Sequence, residues 1–302
     1  MSDVFVHSAA LMGTVVTIQI VGHGATEEKR ADRRDVVTRA IDWFHHIERS
    51  CTRFNATSEV RQLTDHVGTA VRVSAIVYEA VQFALALAEE SGGAFDPTVG
   101  HRMEVRGFDR EYRTGRATRT NIESNEAVSY RDVAIDATNK TITLHRPLVL
   151  DLGAVAKGLA VDMAARELQP FENFAIDAGG DLYLGGSNAD GAPWSVGVRH
   201  PRDERELIET LHVSNVAVCT SGDYERPSAD AEGHHIIDPR TGQSATTVAS
   251  VTVVAPLAMV ADGLATAAFV LGPVHGLELL ERHGVRGLIL TPELERFETH
   301  DV

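Results

Sequence analysis

The chain has 302 residues, of which 43% are hydrophobic and 24% charged, as is ordinary for a soluble globular protein. Its formal net charge of −15 argues against a nucleic-acid or anionic-membrane surface, because such partners favour clustered Lys and Arg. Cys51 and Cys219 are the only cysteines. They cannot form a disulfide framework and match no zinc-binding spacing, so both are predicted to be buried thiols.

The N-terminal stretch MSDVFVHSAALMG places Asp3 and His7 where a signal peptide would be apolar or basic, and it contains no cysteine that could take a lipid. The most apolar helical segment, residues 257–271, is too short to span a bilayer and is interrupted by Asp262. These features predict a cytoplasmic protein without membrane insertion.

The first predicted elements are a strand and two helices. Residues 13–22, GTVVTIQIVG, are predicted as a strand, and residues 28–50 repeat apolar side chains on one helical face. Ser74 is predicted to cap a second helix that ends at SGGAFDP, residues 91–97. The polar, Arg-rich residues 101–132 are predicted to form an irregular, solvated connection.

The second half of the chain lacks a regular β-α-β rhythm. Residues 141–150, TITLHRPLVL, are predicted as a strand, and a helix is predicted from about residue 154 to 168. The remaining predicted elements are strands at residues 174–178, 181–185, 194–200, 208–218, 250–256 and 286–291, and helices at residues 257–271 and 274–283. Because strands cluster between helical blocks, we predict an α+β fold rather than a doubly wound sheet.

A lysine stands within an apolar stretch at residues 151–162, DLGAVAKGLAVD. A buried lysine is costly unless it meets an anion. Ala156 and Gly158 flank Lys157, and small neighbours let a ligand approach the backbone closely. The stretch therefore predicts a bound anion.

Asp262 and Thr266 are four residues apart in PLAMVADGLATAAFVLG, residues 256–272, so they share one face of the predicted helix. Two hard oxygen ligands suit Mg²⁺, which typically takes one or two carboxylates and completes its octahedron with water and substrate phosphates. The alternative is a structural pair, in which the threonine bonds back to its own helix and Asp262 caps another group.

Three other segments place glycines and short polar residues at strand ends, where ligands approach the backbone. They are DAGGDLYLGG (177–186), CTSGDYER (219–226) and HHIIDPRTGQ (234–243). Each segment by itself also fits a simple turn, and each histidine by itself fits a structural role.

The order of these segments resembles that of the FAD:protein FMN transferase family, the ApbE-like flavin transferases. The resemblance runs from about residue 12 to 290 and rests on MGT (12–14), GGAFDPTVG (92–100), DLGAVAKGLAVD, DAGGDLYLGG, TSGDYER, HHIIDPRTG and ADGLAT (261–266). It implies one domain over residues 1–302, with mixed sheets and helices in two subdomains and a nucleotide cleft between them. Family members move FMN from FAD onto a threonine or serine hydroxyl of a partner protein and release AMP.

The resemblance also implies which residues contact FAD. Asp151 and Lys157 match positions at the flavin nucleotide, so the anion that Lys157 meets would be FAD. The other matching positions are Met12, Phe54, Ala94, Phe95, Asp96 and Ile236. Phe54 stands where tyrosine or tryptophan is commoner.

For the metal, the resemblance implies Mg²⁺ held by the Ala154 carbonyl beside Asp262 and Thr266. His235 matches the proposed catalytic base, and the adjacent His234 is an alternative. Diphosphate cleavage is largely a problem of positioning and charge neutralisation, which Mg²⁺ and a lysine supply. A hydroxyl nucleophile also needs a proton acceptor, for which the usual histidine pKa of about 6.5 is suitable.

Two positions depart from the family pattern. In EVRGF, residues 104–108, Arg106 stands where many relatives have tryptophan, and Met259 stands where some have an additional acidic residue. Many relatives are exported lipoproteins, whereas this chain is predicted to modify a target that lies in or faces the cytoplasm. Two alternative functions use the same residues: an FAD pyrophosphatase that yields FMN and AMP, and a non-enzymatic flavin carrier.

Overall fold

The computed structural model describes residues 3–22, 26–120, 122, 127–225 and 233–300. Its strands are β1 (Val4–Leu11), β2 (Thr14–Val21), β3 (Val71–Arg72), β4 (Val133–Asp136), β5 (Thr141–Leu144), β6 (Phe174–Ala178), β7 (Leu182–Gly185), β8 (Trp194–His200), β9 (Asp203–Val213), β10 (Val216–Gly222), β11 (Ser250–Ala255), β12 (Arg286–Leu290) and β13 (Arg296–Glu298). Its helices are α1 (Glu27–Cys51), α2 (Glu59–Leu63), α3 (Ala75–Glu90), α4 (Gly100–Val105), α5 (Gly153–Leu168), α6 (Ala258–Leu271) and α7 (Pro273–Arg282). Arg226, the last residue of the predicted CTSGDYER segment, lies outside the described residues.

Within the described ranges the strands form three sheets, and all of their pairings are antiparallel. The largest sheet has eight strands in the order β1-β2-β6-β7-β10-β11-β12-β13. β3, β5 and β4 form a second sheet, and β8 and β9 form a third. Several antiparallel sheets combined with helices confirm the predicted α+β class.

The large sheet separates two apolar clusters because successive side chains of a strand point to opposite faces. On β10, Ala217 and Cys219 belong to the main core, which also contains buried residues of α1, α3, α5 and α6. Val218 points the other way and packs with Trp194 and Leu211 of the β8–β9 hairpin. The helices therefore cover one face of the sheet and the hairpin covers the other.

Helices α5 and α6 pack against each other at unusually close range. A Cβ atom built on Gly158 would lie 2.5 Å from the Ala258 carbonyl oxygen and 2.6 Å from the Met259 Cα, so only glycine fits. The sequence predicted that Gly158 leaves room for a ligand, and this was wrong, because its close neighbour is the backbone of α6. The small residue next to Lys157 is a requirement of helix packing.

Asp162 of α5 caps the first turn of α6, whose own preceding residue, Leu257, provides no capping side chain. Its two carboxylate oxygens accept hydrogen bonds from the backbone N–H groups of Ala258 and Met259, at 2.7 and 3.0 Å. The side chain is buried, and desolvation raises its pKa to about 6 despite these hydrogen bonds. The carboxylate thus fixes the α5–α6 pair at a cost in solvation.

Most helices form where the sequence places them. Ser74 caps α3 by accepting a hydrogen bond from the Val77 N–H, as predicted.

Cys51 and Cys219 are buried thiols with raised pKa values, caused mainly by desolvation, which also agrees with the prediction. No helix among the described residues is both long and apolar enough to cross a bilayer.

Several strand assignments were wrong. The predicted strand 208–218 is two strands, β9 and β10, because Asn215 adopts a left-handed conformation with φ 58° that reverses the chain. The predicted strand 141–150 ends at Leu144. β1, β3, β4 and β13 were not predicted, nor was the short helix α2. The connection 101–132 includes α4 and a short 3-10 turn at Tyr130–Asp132.

We expect an Asp162→Asn variant to gain stability relative to the wild type as the pH rises from about 4 to 6. A carboxyl with a raised folded-state pKa adds stability only at low pH, and this contribution is lost as the pH rises towards that pKa. The shift corresponds to roughly 2–3 kcal/mol across the interval. Urea unfolding of both proteins at several pH values measures the difference. A difference that does not change with pH would contradict the raised pKa.

Candidate functional site

A cavity of about 790 Å³ opens beside the N-terminal part of α5 and the face of α6 that carries Asp262 and Thr266. Ligand pockets usually occupy about 300–1,000 Å³, so its volume suits a nucleotide-sized molecule. All of the site residues predicted from the sequence line this one cavity: Met12, Phe54, Ala94, Phe95, Asp96, Asp151, Ala154, Lys157, His235, Ile236, Asp262 and Thr266. Their roles remain predictions, but the structure brings them together.

Lys157 forms an ion pair with Asp181 at the cavity wall. The Asp181 side chain is 1% exposed and that of Lys157 is 17% exposed, so the pair is nearly enclosed. Asp181 follows Gly179 and Gly180, whose φ values of 66° and 94° form a turn between β6 and β7 that needs glycine. The sequence predicted an anion near Lys157 but missed Asp181, although this residue lies in the DAGGD segment.

Three oxygen donors of the cavity suit a hard cation. Asp262 and Thr266 lie one turn apart on α6, and Ala154 sits where α5 is kinked, with φ −90° and ψ 15°. The Thr266 hydroxyl is 3.1 Å from the Ser221 hydroxyl of β10, so it pairs with a neighbouring strand rather than with its own helix. A carboxylate, a hydroxyl and a carbonyl fit Mg²⁺, which commonly keeps several water ligands.

No cluster of three or more His, Cys, Asp or Glu side chains suited to a metal occurs in the described part of the chain. A cation at Asp262 would therefore take its remaining ligands from water or from a bound phosphate.

The two adjacent histidines have different surroundings. His234 is buried, its Nε2 lies 2.8 Å from the Ala245 carbonyl, and its Nδ1 lies 3.2 Å from the Ile236 backbone nitrogen. The Ile236 N–H donates to Nδ1, so Nε2 carries the proton and donates to Ala245. Burial lowers the His234 pKa, which favours this neutral form. His235 is half-buried and lines the cavity, which His234 does not.

Asp96 combines a cavity position with a structural role. One carboxylate oxygen accepts from the Thr98 N–H and hydroxyl at 2.8 and 2.7 Å, and the other accepts from the Tyr130 N–H at 3.0 Å. Burial raises the Asp96 pKa, and these hydrogen bonds oppose that effect. The carboxylate holds the turn that presents Ala94 and Phe95 to the cavity.

Arg53 was not predicted from the sequence, yet it lines the cavity and contacts a carboxylate, a backbone carbonyl and an aromatic ring there. Its Nε lies 2.6 Å from Asp151 Oδ2, and its Nη2 donates to the Phe108 carbonyl. The guanidinium carbon lies 4.2 Å from the centroid of the Phe54 ring. The other oxygen of Asp151 accepts from the Gly153 N–H at 2.8 Å, at the start of α5.

Residues 12–289 match the ApbE family model, which spans most of the chain. The chain belongs to the ApbE family. Among curated relatives, the FAD:protein FMN transferase of Vibrio cholerae is 30% identical over 303 residues, covering 97% of this chain and 89% of its own length. That of Haemophilus influenzae is 29% identical over 297 residues, covering 92% and 84%.

Solved ApbE structures share the whole fold. The ApbE protein of Thermotoga maritima has a TM-score of 0.86 at 30% identity, with 99% of this chain and 97% of that one covered. The flavin transferase ApbE of Vibrio cholerae has a TM-score of 0.85 at 26% identity, with 99% and 98% covered. The ApbE fold therefore accounts for the part of the chain that the structure describes.

A loop at the rim of the cavity is tied to α1 through Glu48 in this ApbE-family chain. The rim loop, residues 107–113, contributes most of its residues to the cavity lining. Glu48 accepts hydrogen bonds from the Tyr112 hydroxyl at 2.7 Å and Arg113 Nη2 at 2.6 Å. It also accepts from the Met12 N–H at 3.1 Å. Sequence reasoning missed this acidic contact.

The two departures from the ApbE pattern lie outside the cavity lining. Arg106 donates to the Gln243 side chain at 2.7 Å and to the Ser244 hydroxyl at 3.1 Å, so it braces the segment that carries His235. The Met259 backbone is held by Asp162, as described above. Arg106 thus acts on the cavity only indirectly, through its neighbours.

Replacing Lys157 by Met should destabilise the protein by about 3–5 kcal/mol, because it leaves Asp181 as a buried charge without its cation. The double variant Lys157→Met, Asp181→Asn should recover most of this loss, since it removes both charges. Urea unfolding of the three proteins measures the effect. A single Lys157→Met variant as stable as the wild type would show that the ion pair is unimportant for folding.

Proposed function

We propose that this chain transfers FMN from FAD, in a Mg²⁺-dependent reaction, to a threonine or serine hydroxyl of a target protein and releases AMP. Its family makes the chain an enzyme, an FAD:protein FMN transferase, with FAD and an acceptor protein as its substrates. One observation gives the most support to the proposed Mg²⁺ dependence, hydroxyl acceptor and AMP release. The cavity brings a lysine, an Asp–Thr oxygen pair and a half-buried histidine to the same space as an apolar wall.

The apolar part of the wall would bind the flavin. Phe54, Phe95 and Ile236 offer ring and aliphatic surface, whose burial stabilises a planar aromatic ligand. Lys157 would meet the diphosphate. Since an ammonium has three donors, it can bond a phosphate oxygen while keeping its contact with Asp181.

Asp262, Thr266 and the Ala154 carbonyl would hold Mg²⁺ beside the diphosphate. When bound, the ion neutralises charge on the phosphoryl oxygens. The carboxylate of Asp262 is buried and so is screened little by solvent, which strengthens its hold on a cation.

His235 would accept the proton of the attacking hydroxyl. The hydroxyl oxygen forms a new bond to the phosphorus of the FMN half, and the bond from that phosphorus to the bridging oxygen breaks. The bridging oxygen leaves with AMP, and FMN becomes a phosphoester of the acceptor. His234 is unsuited to this role because both of its ring nitrogens are engaged with the backbone.

Two further assignments stay predictions from the sequence. One is that the whole chain forms a single domain with its cleft between two subdomains. The other is a cytoplasmic location, with a target protein in the same compartment.

AMP release with and without an acceptor tests the proposed function. Purified protein is incubated with FAD and Mg²⁺, alone or with a threonine-bearing acceptor protein, and AMP and acceptor mass are measured. We expect AMP to appear together with a flavinylated acceptor. Rapid AMP release without an acceptor would instead indicate FAD hydrolysis, and no release in either case would indicate a flavin carrier.

Asp262→Ala should lower the Mg²⁺-dependent transfer rate at least ~100-fold at limiting Mg²⁺, because it deletes the charged ligand. Folding should be nearly unaffected, since alanine is a good helix former. Thr266→Val should act in the same direction more weakly. The measurement is the transfer rate as a function of Mg²⁺ concentration, and full activity of Asp262→Ala at limiting Mg²⁺ would exclude this site.

His235→Ala should still bind FAD and Mg²⁺ but attach FMN at least ~100-fold more slowly, the usual contribution of general-base catalysis. His234→Ala is the matched control. It should chiefly lose stability, because two backbone hydrogen bonds disappear. Mass spectrometry of the acceptor gives the rates. Wild-type transfer by the His235 variant, or a larger loss of transfer in a folded His234 variant, would refute the assignment.

A further inference from the structure

Arg53 connects three separate parts of the cavity wall. It follows α1 and its side chain is only 4% exposed. Its guanidinium contacts Asp151 before α5, the Phe108 carbonyl in the rim loop and the ring of Phe54. All four residues line the cavity. A single planar cation thus joins the end of α1, the start of α5 and the rim loop at the cavity wall.

We propose that Arg53 is a positioning residue for FAD binding, which acts by holding Asp151, Phe54 and the rim loop in place. This inference rests on the proposed function, in which Asp151 and Phe54 contact FAD. Nothing in the sequence pattern singles out Arg53. The contacts that carry the proposal are seen only in the fold.

Arg53 offsets the charge of the Asp151 carboxylate. The Asp151 side chain is 19% exposed, and its two oxygens are fixed by Arg53 on one side and the Gly153 N–H on the other. Without the guanidinium, the carboxylate would lose the cation beside its Oδ2 and would meet an anionic ligand with its own charge less fully offset. Such a like-charge contact weakens binding in a partly buried site. Arg53 therefore makes an acidic residue compatible with a diphosphate ligand.

Arg53 also restricts the orientation of the Phe54 ring. A guanidinium over an aromatic ring is a favourable contact that also restricts the ring. Phe54 is half-buried and belongs to the wall that would meet the flavin. Because the same guanidinium is held by Asp151 and Phe108, the ring is fixed relative to the start of α5. A lysine ammonium has no planar fork and cannot keep all of these contacts together.

Arg33 offers a closely matched control outside the cavity. It too is buried, pairs with a carboxylate (Asp3, at 2.8 Å), donates to a backbone carbonyl (Gly22) and lies over a ring (Phe5, at 4.5 Å). In each arginine one buried nitrogen has no hydrogen-bond partner among the described residues, Nη1 in Arg53 and Nε in Arg33. A merely structural loss should therefore be of the same kind at both positions, though smaller at Arg33, because Asp3 is 49% exposed and Asp151 only 19%.

The test compares Arg53→Met, Arg53→Lys and Arg33→Met by thermal unfolding, by FAD titration and by the KM for FAD and kcat of FMN transfer. We expect Arg53→Met to weaken FAD binding and raise KM at least ~10-fold, with kcat changed less than ~3-fold. Arg33→Met should also lose thermal stability, but without a change in FAD affinity. Arg53→Lys keeps a charge beside Asp151, which protects folding, and should give an intermediate affinity.

A double-variant cycle tests whether Arg53 acts through Asp151. In an Asp151→Asn background the charge that Arg53 offsets is absent, so the further effect of Arg53→Met on FAD affinity should shrink to less than ~3-fold. An undiminished effect in that background would overturn the charge argument. Equal FAD affinities of Arg53→Met and Arg33→Met would overturn the proposal as a whole.

The FAD titration separates this inference from the proposed function. If the wild type binds FAD but transfers no FMN to any hydroxyl, the proposed function fails, while the affinity comparison still decides the role of Arg53. If the wild type does not bind FAD, both are overturned.

Discussion

The close contact between α5 and α6 is the constraint on which the candidate site depends. Gly158 meets the backbone of Ala258 and Met259 with no room for a Cβ atom, and Asp162 bonds the first N–H groups of α6. These contacts fix both the distance between the helices and their register. Lys157 and Ala154 on one helix are thereby set against Asp262 and Thr266 on the other. The oxygen donors and the lysine share a cavity because two backbones touch.

Three of the cations that line the cavity pair with acidic side chains. Arg53 pairs with Asp151, Lys157 with Asp181 and Arg113 with Glu48. In this chain, whose net charge is −15, such pairing offsets the free-energy cost of burying a cation. It also means that an anionic ligand meets a wall close to electrical balance, so that added positive charge from a metal would matter more than the lysine alone.

The sequence predicted which residues line the cavity better than it predicted which side chains pair with them. Order-dependent motifs located the cavity residues, and apolar periodicity located the long helices. The sequence did not identify Asp181 as the partner of Lys157 or Arg53 as the partner of Asp151. An ion pair joins residues far apart in the chain and leaves no periodic signal. The strand β1 was missed because most of its side chains are exposed at the edge of the sheet, so its hydrophobic alternation is weak. His234 and His235 became distinguishable only once hydrogen-bond partners were known.

The outer attachment of the rim loop, through Arg113, differs in kind from its inner attachment, through the Phe108 carbonyl and Arg53. Arg113 is 46% exposed at its contact with Glu48, whereas Arg53 and Lys157 are largely enclosed. Mobile ions screen exposed charge pairs strongly and enclosed ones little. We therefore expect ionic strength to weaken the Arg113–Glu48 contact at the rim while it leaves the Arg53 contacts, including the one to Phe108 in the same loop, intact. The entry and release of a ligand can thus respond to salt separately from the affinity with which the ligand is bound.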